Sequence, residues 1–218
     1  MKTKRSKFYI LNLVFAGLIP ANFMLANHEE GLLLTPVPLV NLVPTSVDES
    51  VTDFFDLESG KFVLTGSGCS LENTFVGIDG EQNVLDLSFG QYYAAGSTAR
   101  TNCASRIGIR SIPGKRLVVT RMGIAGRAAL PPGGSGRISF STNLGATLGP
   151  RISKVLKAED EDVEGNFTVA RHTEFSTSCN DEAGLLGINT AVVMASSAEL
   201  AAITVDRVAL AFRVDSCD

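Results

Sequence analysis

The sequence contains no tryptophan, only two histidines and few charged residues. Charged side chains make up 19% of the 218 residues and the formal net charge is −4, so no strong overall field exists to attract nucleic acid. Because histidine supplies most general acid–base catalysis near neutral pH, its scarcity leaves little material for a histidine-based active site. Hydrophobic residues make up 44% of the chain, which excludes an intrinsically disordered protein.

Cysteine is also scarce, and its spacing excludes the usual structural zinc site. Cys69, Cys103, Cys179 and Cys217 are too far apart to form the C-x-x-C pairs of such sites. An even cysteine count in an exported protein predicts two disulfides, because thiols outside the cytosol are not kept reduced. Sequential pairing, Cys69 with Cys103 and Cys179 with Cys217, is the simplest connectivity, although the sequence leaves the other pairings open.

The N-terminus carries the features of a secretory signal. A basic segment, residues 1–7, precedes an apolar stretch that ends at Ala26, as the n-region precedes the h-region in signal peptides. The apolar stretch is long enough to span a bilayer if it is not cleaved, but two asparagines and a proline weaken it as a membrane helix. We therefore predict a signal peptide over residues 1–26, secretion, and no membrane attachment after cleavage.

Residues 27–60 have the composition of an irregular leader. Prolines between Leu32 and Pro44 fix φ and remove backbone donors, which favours an extended chain over a central strand. Phe54 and Phe55 follow within an acidic stretch. We expect these two rings to pack on the main domain, because soluble proteins seldom expose such apolar patches.

From Lys61 onward, short apolar runs are separated by glycine, asparagine, aspartate and proline. Period-two alternation with β-branched and aromatic residues is typical of strands. It predicts strands within Phe62–Leu64, Val84–Phe89, Ile107–Ile112, Leu117–Thr120, Ile138–Ser141, Phe167–Val169, Ile188–Met194 and Ile203–Val214. Many short strands indicate an all-β fold, and we predict a two-sheet β-sandwich over residues 61–218.

The separators between these runs have the chemistry of turns. Asp79-Gly80 predicts a hairpin with a positive φ at the glycine. Pro113-Gly114 and the segment Pro131–Gly134 predict further tight turns. The alanine-rich run within residues 191–202 is the one place where we expect a helical turn.

Several short motifs occur in a fixed order along this domain. They are Gly66-Ser67-Gly68-Cys69, Asn102-Cys103, Pro113-Gly114, Ile138-Ser139-Phe140, Gly149-Pro150, Cys179, Gly187-Ile188-Asn189-Thr190, Val205-Asp206 and Cys217. In this order the chain resembles DUF4360, an uncharacterised family of secreted proteins. The resemblance spans about residues 61–218. It implies export and a β-rich, disulfide-bonded domain, and it implies no activity.

No recognised catalytic or metal-binding motif is present in the sequence. Ser67 lacks the G-x-S-x-G spacing of a nucleophile elbow, so a tight turn explains its two flanking glycines. We interpret His172 as a surface residue of a strand, because no nucleophile motif accompanies it. The acidic segment Glu159–Asn166 holds oxygen ligands that calcium accepts, but without the EF-hand alternation a solvated turn is the preferred interpretation. We predict no catalytic site, no metal and no cofactor.

Two surface features suggest modification or binding. Asn166-Phe167-Thr168 fits the N-glycosylation acceptor pattern. A basic group comprises Arg100, Arg106, Arg110, Lys115, Arg116 and Arg121. Alternating members such as Arg106 and Arg110 are able to share a sheet face and bind an acidic polymer, or to form an ordinary solvated face. No aromatic residues interleave with them to stack on bases, so we predict no nucleic-acid partner.

Three functions stay open at this point. The first is a secreted, non-catalytic structural or binding protein at the cell surface or in the extracellular matrix, with an extracellular protein or an acidic polymer as its partner. The second is a secreted hydrolase that uses carboxylates such as Asp86, Asp206 or Glu174, since paired carboxylates leave no local motif. The third is a secreted inhibitor or effector that docks on a protein through a loop or strand edge.

The mature protein should begin near residue 27, because export removes the signal peptide. We expect N-terminal sequencing and intact-mass measurement of protein from the culture medium to show the loss of residues 1–26. A control chain that lacks the apolar stretch should stay inside the cell. Secreted material that retains Met1 would contradict the prediction.

Overall fold

The computed structural model describes residues 51–57, 61–97, 99–159, 165–179, 184–195 and 201–217. Most of these residues belong to β-strands arranged in two sheets. The predicted all-β, two-sheet sandwich with two disulfides is thereby confirmed. The predicted signal peptide, the leader before Val51, and residues 196–200 of the expected helical turn lie outside the described residues.

A short 3-10 turn, Val51–Phe54, precedes the strands. In chain order the strands are β1 (Phe55–Asp56), β2 (Phe62–Thr65), β3 (Thr74–Asp79), β4 (Val84–Phe89), β5 (Tyr93–Ala95), β6 (Arg100–Ile109), β7 (Lys115–Ala129), β8 (Ser135–Leu144), β9 (Thr147–Lys157), β10 (Gly165–Ser176), β11 (Gly184–Met194) and β12 (Ala202–Ser216). Among the described residues, no helix is long and apolar enough to cross a membrane.

The strands pair antiparallel in both sheets. In sheet A, β1 and β2 share one side of β6, and the order continues through β11 and β8 to β9 at the far edge. In sheet B the order is β10, β7, β12, β4, β3, and β5 pairs with β12 beside β4. The chain passes between the sheets several times, so neither sheet is built from one continuous stretch of sequence.

The apolar core lies between the two sheets and follows the alternation of each strand. In β4, Leu85 and Leu87 are fully buried, whereas Asp86 and Ser88 lie on the outer face. In β6 the inward positions include Thr101, a cysteine and a serine, all buried. Polar residues at inward positions conceal the alternation in the sequence, which is why the predicted strand began at Ile107 rather than Arg100.

Two turns form as the proline and glycine positions indicate. The Lys115 amide donates to the Ile112 carbonyl across Pro113-Gly114, and Gly114 has a φ of +73°. The Gly134 amide likewise donates to Pro131, and Gly133 has a φ of +74°. Proline before a glycine of positive φ is the pattern of a type II turn.

The turn after Asp79 differs from the prediction. The Asp79 carboxylate accepts hydrogen bonds from the amides of Glu81 and Gln82 at 2.9 Å each. The positive φ, 53°, falls on Asn83 and not on Gly80. The loop is therefore longer than a two-residue primed turn, because the aspartate side chain caps it in an Asx arrangement.

The Gly66-Ser67-Gly68-Cys69 segment carries the chain from sheet A to sheet B. Gly66 has a φ of +136°, and a Cβ there would lie 2.2 Å from the Asn102 carbonyl oxygen. A Cβ on Gly68 would lie 2.2 Å from the Tyr92 ring. These close approaches require glycine at both positions. They also bring Cys69 to Cys103 of β6, with which it forms a buried disulfide.

The residues just before β2 belong to the packed sandwich. Val51, Phe54 and Phe55 are buried, and the rings of Phe55 and Phe212 pack edge to face with centroids 5.2 Å apart. The end of the predicted leader thus contributes to the core, as expected for the two phenylalanines.

Four strands were missed by the sequence patterns, namely the very short β1 and β5 and the longer β3 and β9. The two longer ones, β3 and β9, share a common explanation. Both lie at sheet edges and pair with a single neighbour. Phe75 of β3 is 70% exposed and Leu148 of β9 is 83% exposed. Large apolar residues therefore occupy outward positions, and the sequence does not alternate between apolar and polar residues as a half-buried strand does. β9 also contains Pro150, which an edge strand tolerates because one row of its amides needs no partner.

Removing either disulfide should destabilise the sandwich. The disulfides close loops with sequence separations of 34 and 38 residues, each worth about 3–4 kcal/mol in the chain-entropy model. We expect C69A/C103A to lose more than C179A/C217A in denaturant unfolding, because Cys69 and Cys103 are buried whereas Cys179 is exposed. Equal losses would contradict the predicted role of burial.

Candidate functional site on the outer face of sheet A

Ion pairs between strands dominate the outer face of sheet B. Arginines of β7 and β12 hold carboxylates of β4, β10 and β12 at 2.6–3.4 Å. The pairs are Arg127–Asp206, Arg207–Asp86, Arg213–Glu174, Arg213–Asp215 and Arg116–Asp215. This face therefore neutralises most of its own charge.

Hydrogen bonds within this network shift the pKa of three of its members, Asp215, Arg213 and Arg127. Arg213 donates to Asp215 and holds the pKa of that carboxyl group below its usual value. In return, Asp215 raises the pKa of Arg213, and Asp206 raises the pKa of Arg127. Arg213 and Asp215 thus hold each other in their charged forms.

The three carboxylates considered for a hydrolase all lie in this network. Asp86, Asp206 and Glu174 each accept a hydrogen bond from a different arginine. Each is thus engaged by its own arginine, whereas the two carboxyl groups of a glycoside hydrolase flank the scissile bond in one pocket. The surroundings of these residues thus suit ion pairing rather than acid catalysis.

The outer face of sheet A has a different construction. Its central strands, β8 and β11, carry the small outward residues Ser139, Ser141, Asn189 and Ala191. Arg100 of β6 and Arg151 of β9 stand on the two flanking strands, together with Asn102 and Ala104 of β6. Short side chains between longer ones leave a shallow hollow of about 380 Å³, here called the central depression.

The strand register places these residues in one row. Ala104 is opposite Asn189, Asn189 is opposite Ser141, and Ser141 is opposite Arg151. With strands about 4.8 Å apart, the row is roughly 14 Å long. A ligand that lies across the strands therefore meets amide and hydroxyl groups before it reaches the arginine on β9.

A second, larger hollow opens at the Arg106 end of this face. This end depression has a volume of about 640 Å³ and is lined by Lys61, Arg106, Arg110, Lys115 and Asp56, among others. Arg110 lies 3.6 Å from Asp56. Arg106 donates a hydrogen bond of 3.3 Å to Asn189, which lines the central depression, and so connects the two hollows.

The charges on the strands of sheet A are mostly of one sign. The described strands of sheet A hold six basic residues and one acidic residue, Asp56, whereas those of sheet B hold seven basic and five acidic residues. Within the described part of the chain, Arg100, Arg106, Arg137 and Arg151 form no ion pair. An acidic protein therefore carries a locally basic face.

The structure divides the basic group found in the sequence between the two sheets. Arg100 and Arg106 lie on the outer face of sheet A, and Arg106 and Arg110 both line the end depression. The other members, Lys115, Arg116 and Arg121, belong to β7 of sheet B. Sequence reasoning did not include Arg137 and Arg151, because only the long-range pairing through β11 places β8 and β9 in the same sheet as β6.

The remaining sequence candidates lie elsewhere. Asn166 is exposed at the start of the edge strand β10, where its glycosylation stays a prediction, and His172 is exposed on the same strand. Ser67 is exposed, and its hydroxyl accepts a hydrogen bond from the Asn102 amide at 3.3 Å. Most of the acidic segment at 159–166 is outside the described residues, and within the described ones no three His, Cys, Asp or Glu residues cluster as metal ligands.

Comparison with protein families matches residues 57–216 to the domain of unknown function DUF4360. The chain belongs to the DUF4360 family. No curated protein matches this DUF4360 chain significantly.

Solved structures similar to this DUF4360 protein include carbohydrate-binding modules. TmCBM61, solved with β-1,4-galactotriose, has a TM-score of 0.31 and 10% identity, over 72% of this chain and 90% of that one. CBM27-1 of Caldicellulosiruptor saccharolyticus, solved with mannohexaose, has a TM-score of 0.29 and 12% identity, over 76% and 98%. At these values the likeness says nothing about what this chain binds.

Replacing Asp215 with asparagine should weaken the sheet B network slightly at neutral pH. A carboxyl group whose pKa is lowered by folding stabilises the fold fully above its unfolded pKa, and this contribution is lost as the pH falls through the folded value. Because these side chains are partly exposed, D215N should cost at most about 1 kcal/mol at pH 7.

We expect the denaturation curves of the wild type and D215N to converge as the pH falls well below about 3.9, the ordinary aspartate pKa. E81Q, which alters an exposed carboxylate of the β3–β4 turn, is the matched control and should behave like the wild type. A loss of stability in D215N that persists undiminished in acid would contradict this account.

Proposed function

We propose that this DUF4360 protein is a secreted, non-catalytic binding domain whose ligand contacts the outer face of sheet A. One observation carries the proposal, namely the contrast between the two outer faces. Sheet B pairs its arginines with carboxylates, whereas no described residue forms an ion pair with the four arginines of sheet A. Guanidinium groups without a carboxylate partner in the described protein are available for an acidic ligand from outside.

The scaffold suits binding to a preformed surface. The ligand-facing residues are on strands, and their backbones are held by neighbours on both sides in β6, β8 and β11. A side chain on a paired strand loses less conformational freedom on binding than one on a loop, so more of the contact energy remains as affinity. The two disulfides agree with an oxidising compartment outside the cytosol.

A structural role is the alternative to ligand binding among the functions of non-catalytic extracellular proteins. A structural protein would self-associate, and the edge strand β3 with its exposed Phe75 is the place where this would occur. Size-exclusion chromatography separates the two roles, because a binding domain stays monomeric without its ligand.

The proposed face predicts which substitutions abolish binding. We expect R100S/R151S to lose most retention on the insoluble extracellular material of the secreting culture, because it removes both arginines of the central depression. R121S/R171S changes the net charge equally on sheet B and breaks no ion pair of the described residues, so it should bind like the wild type. Retention, measured by sedimentation, should be strongest at low salt and should fall as the salt concentration rises. Equal retention of both variants would contradict the proposal.

A further inference from the structure

We infer that the ligand of this face is an acidic polysaccharide, with carboxylates that pair with Arg100, Arg106 and Arg151 and hydroxyls that bond to the floor of the central depression. This inference rests on the proposed function and adds the chemical class of the ligand.

The spacing of the arginines indicates a polymer rather than a small anion. Arg100 and Arg106 are six residues apart on the same strand and face the same side. At about 3.3 Å per residue their Cα atoms are roughly 20 Å apart, farther than a single small anion spans. A chain with repeated charges contacts both, and its next charges reach Arg151 across the row of small residues.

The floor of the central depression supplies groups that recognise hydroxyls. The side-chain hydroxyls of Ser139 and Ser141 make no hydrogen bond with the described residues, and a hydroxyl both donates and accepts. Asn189 uses its side-chain oxygen to accept from Arg106, which orients its amide. Neutral donors and acceptors between guanidinium groups match a molecule that alternates hydroxyls with carboxylates, as acidic sugars do.

The composition of the same floor disfavours two other macromolecules. The aromatic residues on the described strands of sheet A are Phe55, Phe62 and Phe140, which pack in or against the core. Single-stranded nucleic acids need exposed rings on which bases stack, and protein interfaces usually centre on large apolar or aromatic anchors. The centre of this face offers small polar side chains instead.

Affinity measurements with defined polymers test the inference. The probes are polygalacturonate, alginate and hyaluronate, with methyl-esterified polygalacturonate and dextran as uncharged controls and single-stranded DNA as the competing polyanion. We expect the mature wild type to bind at least one acidic polysaccharide, in affinity electrophoresis at low salt. Esterification should abolish binding to polygalacturonate if that polymer is the one bound, because it removes the carboxylates and leaves the sugar chain.

Variants test whether the affinity for the polymer comes from the outer face of sheet A. R100S/R151S should weaken binding to the acidic polymer by about tenfold or more, because two charge-assisted contacts are lost. R121S/R171S should stay within about twofold of the wild type, since general charge attraction changes equally in both variants. Thermal unfolding should be unchanged in both, because none of the four substituted arginines is buried.

The contrary outcomes are distinct. Binding to none of the three acidic polymers, tighter binding to DNA, or equal binding to the esterified form would overturn the inference. In each of these cases the proposed function survives if R100S/R151S still loses retention on extracellular material. If that variant retains both activities, the face itself is wrong and both proposals fail together.

Discussion

Burial of an apolar layer between two sheets is the constraint on which the rest of this structure depends. Each strand has to turn every second residue inward, as Leu85 and Leu87 do in β4. The remaining residues lie on an outer face, where they do not have to be apolar. Charge and hydrogen bonding determine the interactions of the outer faces. The two sheets share one core and yet carry different outer surfaces.

The crossing between the sheets adds a second constraint, which is local and steric. Gly66 approaches the Asn102 carbonyl and Gly68 approaches the Tyr92 ring more closely than any side chain would allow. The disulfide from Cys69 to β6 lies directly beside these contacts. The glycines and cysteine of this motif thus have a common structural explanation. That explanation leaves the exposed Ser67 without a catalytic role.

The outer faces show how charge of one sign gathers on an acidic protein. On sheet B, long side chains of neighbouring strands meet as arginine–carboxylate pairs, of which Arg127–Asp206 is bidentate. On sheet A, the central strands carry serine, alanine and asparagine, which are uncharged and do not neutralise the arginines beside them, although Asn189 accepts a hydrogen bond from Arg106. Because these central side chains are short and uncharged, they leave a hollow in the face and give the guanidinium groups no carboxylate partner. Shape and charge of the candidate site therefore share one cause.

The sequence by itself determined the fold class, the strand most regular in alternation, Val84–Phe89, and the proline–glycine turns, because these depend on neighbours a few residues apart. It did not reveal β9, an edge strand with an exposed leucine, or the start of β6, whose inward residues are polar. Only the tertiary structure decided which arginines share a face. Arg100 and Arg151 are distant in the chain, and antiparallel pairing through β11 and β8 brings them to one depression. Strand register is a property of long-range pairing, and no local pattern of residues encodes it.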